Sequence, residues 1–322
     1  MLYLYINYPS FIKPEIFSFL PVRWYSLMYI VAFFVTLVIF QHLCKKEKIL
    51  SKDECENILI AGFLSLLIFA RVFSCLFYSD WKFYLAHPLH MFWPFEGGRF
   101  VGLPGMSYHG GLFGAFVGAY IYCRIKKHNL LKVGDVVVSA IPFGYTFGRI
   151  GNFINAELYG RVTTSSLGMI FPNASRFDTN LEWVQEVARK VGLEIIPNSF
   201  INLPRHPSQL YEALFEGLVT GLILYFITRP YFKKHNFKDG SNVSMYLILY
   251  GFFRFFIEYC RQPDADIGYV IALSDRSDNI ALFQSFLNIS KGQIFCLLMV
   301  LIGILMLIIV NIRRDKDEKK RK

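Results

Sequence analysis

Six charged residues stand where an apolar chain should carry none: Arg71, Arg149, Arg254, Glu212, Glu216 and Glu258 fall inside or at the edge of long hydrophobic stretches. A charge at the centre of a bilayer costs roughly 2.5–3.5 kcal/mol on insertion scales. Left unpaired, the set would cost on the order of 15 kcal/mol, more than the net stability of a typical protein. These side chains must face one another, water or a charged ligand. At about 100° per residue, Tyr250, Arg254, Glu258 and Arg261 fall within an arc of about 80°. His206, Gln209, Glu212 and Glu216 fall within about 120° by the same arithmetic. Two helices therefore present polar stripes to a common interior, as an internal ion-pair lattice or as a binding site.

Two further runs add groups suited to anion and proton chemistry. In Gly148-Arg149-Ile150-Gly151-Asn152-Phe153-Ile154-Asn155-Ala156-Glu157, two Gly and two Asn make a poor helix interior, so a backbone break is expected there. An Arg beside free amides and Asn side chains makes an anion site. In Ser107-Tyr108-His109-Gly110-Gly111, followed by Gly114 and Gly118, the glycines let another helix or a lipid approach closely. His109 is the side chain there suited to exchanging a proton near neutral pH, although a lone His is more often structural. His87 and His90 lie in an aromatic loop without carboxylates and read as structural.

The elements that must hold these groups follow from composition. The chain has 322 residues, 54% hydrophobic and only 18% charged, yet a formal net charge of +10. A soluble domain carries about 25% charged residues, and 33 Phe with 19 Tyr exclude disorder. An oily, basic chain is a polytopic membrane protein. Stretches of the required length, roughly 17–25 residues, lie at about 24–43, 57–78, 108–123, 134–150, 207–228, 243–260 and 292–312. The segments following the first, third, fifth and seventh hold 19 of the 34 Lys+Arg. Basic residues mark cytoplasmic loops, so the N-terminus is expected outside and the C-terminus inside, with 313–322 a basic cytoplasmic tail. These cations orient the protein and touch anionic lipid heads; they do not indicate nucleic acid. The expected fold is all-α, one integral membrane domain over 1–322 with seven transmembrane helices.

Outer segments at about 79–107 and 158–206 are long enough for structure of their own. In the second, Trp183, Val184, Val187 and Val191 share one helical face, which suggests a small extracytoplasmic head, a plain ordered loop being the alternative. Tyr8–Ile12 and Phe17–Pro21 read as an interfacial aromatic segment. The first 20 residues lack a basic n-region and a small-residue cleavage site, so the first span is expected to insert itself. The six cysteines show neither a disulfide nor a zinc spacing.

Taken in order, Trp24-Tyr25, Ser107–Gly111, Gly148–Glu157 with Gly160, His206-Pro207-Ser208-Gln209-Leu210-Tyr211-Glu212, and Arg254–Glu258 with Arg261-Gln262-Pro263-Asp264 closely resemble the prolipoprotein diacylglyceryl transferases of the bacterial cytoplasmic membrane. The resemblance spans most of the chain, and its GRxGNFxNxExxG run is highly specific. It implies a seven-span inner-membrane enzyme, with its active site toward the extracytoplasmic half and no metal or organic cofactor. Such an enzyme moves the diacylglyceryl group of phosphatidylglycerol onto the lipobox cysteine of prolipoproteins as a thioether, and releases glycerol phosphate. Its partners are phosphatidylglycerol, lipobox segments and membrane lipids.

Carried over motif by motif, the expected catalytic residues are His109, Arg149, Arg254, Tyr250 and Glu157. Those expected to bind phosphatidylglycerol are Arg149, Asn152, Arg254, Tyr25, Gly160, Glu212, Glu258 and Arg261. Arg149 and Arg254 would take the phosphate, and His109 the thiol proton with Tyr250 as rival. Asn152, Glu157, Glu212 and Glu258 would orient them. Residues Arg99–Gly105 are inserted relative to the family pattern, 161–205 diverges, and 265–290 is long and polar; these differences bear on precursor docking more than on chemistry. A transporter for an anionic lipid or small anion would also bury Arg and Glu, but it predicts internal repeats, which the sequence lacks.

Overall fold

The structure is a computed structural model that describes residues 5–17, 20–103, 105–263, 268–273 and 279–319. Asp264, parts of the 265–290 loop and the last residues of the basic tail lie outside the described residues. In chain order the helices are α1 (Trp24–Glu47), α2 (Lys52–Phe77), α3 (Trp81–Ala86), α4 (Tyr108–Lys126), α5 (Leu130–Val137), α6 (Ile141–Ile154) and α7 (Glu182–Val191). They continue as α8 (Ser208–Lys234), α9 (Ser241–Cys260) and α10 (Lys291–Lys319). Helix makes up 62% of the chain. Short strand pairs of two to four residues decorate the loops, so the protein is dominated by helix but is not wholly α. In hydrocarbon only helices and closed barrels satisfy every backbone group.

Among the described residues, α1, α2, α8, α9 and α10 are long and apolar enough to cross a membrane, and α5 with α6 could form one further, broken span. The chain is a multi-pass membrane protein. Two expected spans differ from a plain helix. Stretch 134–150 is interrupted between Val137 and Ile141, where Pro142 in the first turn of α6 offers no N–H to continue a preceding helix. Stretch 108–123 is helical as α4, but Gly110, Gly111, Gly114, Gly118 and three tyrosines leave it less apolar than the five.

The chain divides into two compact units, residues 37–136 and residues 1–36 with 137–322. In the first, Ser51 and Glu54 form a capping box that starts α2. Gly110, Gly114 and Gly118 lay α4 against it: a Cβ at Gly114 would collide with the Ser65 carbonyl oxygen, and one at Gly118 would lie 2.5 Å from that of Ala61. Buried Arg71 holds the segment between α2 and α4, donating from Nε to the Met91 carbonyl (2.5 Å) and from Nη1 to that of Gly105 (3.3 Å). Arg71 thus clamps the backbone of that segment.

In the second unit α6 meets α8 where Gly217 faces Thr146 and Gly221 faces Phe143, and α9 meets α10 at Gly251 and Gly303. Small residues let membrane helices approach until their backbones touch. Helix α8 widens to i→i+5 hydrogen bonding over Glu212–Val219 and again over Ile223–Thr228, a form concentrated at functional sites. The loop segment 158–206 has its own apolar cluster of Val162, Val184, Val187, Ala188 and Leu203, into which α7 turns the face legible in its sequence. Tyr8 reaches back to cap α6, donating to the carbonyls of Phe153 and Ile154 at 3.0 Å each.

Candidate active site

Helix α6 runs through Gly148 and Gly151 without breaking. Gly151 serves close packing instead, since a Cβ there would lie 3.0 Å from that of Met28, while Gly148 faces open space. The irregular backbone follows at Ala156 and Leu158, both non-glycine residues with left-handed φ of 51° and 56°. Such residues cost on the order of 1–3 kcal/mol each, and here they flank Glu157. The Glu157 carboxylate accepts from Asn152 Nδ2 at 3.0 Å and from Asn155 Nδ2 at 2.8 Å. Its carbonyl accepts from Gln209 Nε2 at 2.5 Å. Glu157 also lines an open cleft of about 470 Å³ with Glu15, Arg23, Tyr159 and Asn173.

Glu212, fully buried on α8, is the hub. Arg149 Nε lies 2.8 Å from its Oε2, while Arg254 Nη1 (3.0 Å) and Arg261 Nη1 (2.5 Å) share its Oε1. Glu258 holds the far side of the two α9-end arginines, 3.1 Å from Arg254 Nη2 and 3.7 Å from Arg261 Nε. It is itself fixed by Ser290 Oγ at 3.2 Å. Glu216 lies 3.5 Å from Arg254 Nη1 and accepts from the Tyr145 hydroxyl at 2.5 Å. That hydroxyl in turn accepts from Arg149 Nε at 2.7 Å, and the Arg149 guanidinium lies 4.9 Å from the Tyr145 ring centre. Arg149 Nη1 makes a long 3.4 Å bond to Asn152 Oδ1, which joins the lattice to the Glu157 loop.

Arg149, Asn152, Glu157, Glu212, Arg254, Glu258 and Arg261 thus form one connected network. Tyr25 lies beside this network, its hydroxyl hydrogen-bonded with that of Tyr29 (2.8 Å), and Tyr250 stands edge-on to Tyr145 with ring centres 6.1 Å apart. Gly160 is a packing position: any side chain would collide with the Cys260 carbonyl and crowd His206. His206 precedes α8 rather than lying on its polar face. Burial and the nearby Arg161 push its imidazole down to about 4. His109 belongs to the 37–136 unit, exposed in the first turn of α4 and edge-on to Tyr108.

Several participants escape a sequence reading. Tyr145 carried a signal, its spacing of four residues before Arg149 on one helix. Arg161 and Arg205 carried none, because charge in a loop is ordinary. Both are buried, Arg161 donating to the Arg261 and Leu282 carbonyls and Arg205 to Gln262 Oε1.

Chemically, the three arginines are held from behind by acids while keeping N–H groups free. Among the described residues Arg149 Nη2, Arg254 Nε and Arg261 Nη2 have no protein partner. Each of the three side chains stays about one-fifth exposed. A preorganised cationic edge inside an apolar bundle suits a phosphate on a lipid.

Comparison with known proteins agrees. The sequence model of the prolipoprotein diacylglyceryl transferases matches residues 14–309. A Treponema denticola protein named phosphatidylglycerol–prolipoprotein diacylglyceryl transferase is 44% identical, over 99% of this chain and 98% of its own. Proteins of the same name from Treponema pallidum (44%, covering 94% of each chain) and Borrelia garinii (40%, covering 98% and 96%) are similar over nearly their full lengths. With the family model and these relatives covering almost the whole chain, the protein belongs to the prolipoprotein diacylglyceryl transferase family.

Proposed function

We propose that the chain transfers the diacylglyceryl group of phosphatidylglycerol to the lipobox cysteine of prolipoproteins. The observation that carries this reading for the site is the gathering of Arg149, Arg254 and Arg261 around buried Glu212 with free N–H edges. The cysteine sulfur attacks the glycerol carbon that bears the phosphate, a C–S bond forms, and the C–O bond to phosphate breaks. Glycerol phosphate leaves as its charge rises from one toward two. Arg149 and Arg254 stabilise that added charge. The thiol, with an ordinary pKa near 8.5, gives its proton to His109, with Tyr250 the rival base. Asn152, Glu157, Glu212 and Glu258 hold the arginines in place, Arg261 and Tyr25 border the headgroup, and Gly160 keeps the signature loop close to the end of α9.

The same reading places seven crossings in the bacterial cytoplasmic membrane, counting α4 and the α5–α6 pair, with the N-terminus outside and the basic 313–322 tail inside. Segment 158–206 is then an extracytoplasmic head, and the active site faces that side. The test is incubation of the purified protein with phosphatidylglycerol vesicles and a lipobox peptide, followed by mass spectrometry. A diacylglyceryl thioether is expected; movement of lipid between leaflets with no adduct would point to a carrier instead.

A further inference from the structure

We infer that Tyr145 is a positioning residue for the transfer, acting through Arg149; the inference rests on reading Arg149 as a phosphate ligand. Its hydroxyl bridges Arg149 and Glu216 directly, and Glu216 in turn lies 3.5 Å from Arg254. A guanidinium can only donate, and a hydroxyl that accepts from it turns its own proton elsewhere. The Tyr145 hydroxyl therefore has one orientation, accepting from Arg149 Nε at 2.7 Å and donating to Glu216 Oε2 at 2.5 Å. Nε gives its single N–H to Tyr145, Glu212 Oε2 lies 2.8 Å away as a charge contact, and the Tyr145 ring lies 4.9 Å from the guanidinium, so Arg149 is held by its inner edge. The outer edge stays nearly free, Nη1 making only the 3.4 Å bond to Asn152.

The relay is built into the helix contact. Gly217 on α8, one residue from Glu216, lets α8 close onto Thr146, one residue from Tyr145. A guanidinium fixed before the reaction need not reorganise as charge builds on the leaving phosphate, and such preorganisation acts on the transition state more than on ground-state binding. Losing the hydroxyl should therefore lower kcat while sparing KM.

The test is a double-mutant cycle on the full-length protein in phosphatidylglycerol vesicles, reading thioether formation on a lipobox peptide. Tyr145→Phe should lower kcat about ten-fold with KM for phosphatidylglycerol within about two-fold. In an Arg149→Lys background, expected to turn over slowly but measurably, the same change should cost less than about two-fold, because its route of action is gone. A kcat within about two-fold of wild type, or an undiminished ten-fold loss in the Lys background, overturns the inference. If Tyr145→Phe does not fold, Tyr145→Leu, which also removes the hydroxyl, is carried through the same cycle and judged by the same outcomes. Wild-type turnover by Arg149→Lys alone would sink the phosphate-site reading, and this inference with it.

Discussion

Glu212 shows how the site is held at the scale of single residues. Three guanidinium groups converge on one fully buried carboxylate, so removing it leaves three cations crowded in an apolar interior. Breaking a buried pair costs about 3–5 kcal/mol. Glu212→Ala is therefore expected to lower the unfolding temperature in detergent or nanodiscs as well as abolish transfer; normal stability with lost activity would mean the acid acts only on substrate. His206 gives a pH-dependent counterpart outside the spans. Its folded-state pKa, about 4, lies below the unfolded value near 6.5, so the unfolded chain takes up the proton first as pH falls. Stability is full above about 6.5 and declines toward pH 4. Thermal melts between pH 7 and 4.5 should show that decline, and His206→Gln should flatten part of it. Arg149, Arg254 and Glu212 were legible because a charge inside an apolar run is anomalous. Tyr145 was not, since a tyrosine in a membrane helix is equally at home packing.

Helices α4 and α8 show what periodicity can and cannot carry. A 100° wheel groups Glu212 with Glu216, and they do share a network, but it also places His206 on the stripe. The helix begins only at Ser208, and its i→i+5 turns change the angular spacing beyond it. Glycine identity alone did not say which glycines break a helix and which are contacts: Gly148 and Gly151 lie inside α6, and the backbone turns left-handed at Ala156 and Leu158 instead. For α4 the glycine row was readable as a close-packing face. Gly114→Ala should destabilise the α2–α4 pair, because its Cβ would strike the Ser65 carbonyl. Gly62→Ala meets only Ala115 O at 3.6 Å and should be neutral or stabilising by up to about 1 kcal/mol. Paired thermal melts decide the matter, and equal behaviour of the two variants would contradict the close-contact account.

At the scale of the whole molecule, the bulk positive charge and the buried charges carry different information. Nineteen Lys+Arg in four short segments predict which side of the membrane each loop occupies. Single cysteines at Asn198 and Lys127 test it: in intact spheroplasts an impermeant thiol reagent should label the first and not the second, and the reverse pattern would invert the topology. The architecture of 158–206 was only partly legible, its α7 face visible in Trp183, Val184, Val187 and Val191 but its partners Val162 and Leu203 distant in sequence. The central claim is that Arg149 and Arg254 carry the phosphate as the diacylglyceryl group moves. Its most direct test is the rate of diacylglyceryl thioether formation, followed by mass spectrometry, for wild type, Arg254→Lys and Arg254→Ala. A lysine keeps the charge but cannot hold both Glu212 and Glu258 while presenting a planar N–H edge. Both variants should therefore lose about 100-fold or more, whereas a lysine variant near the wild-type rate would contradict the account.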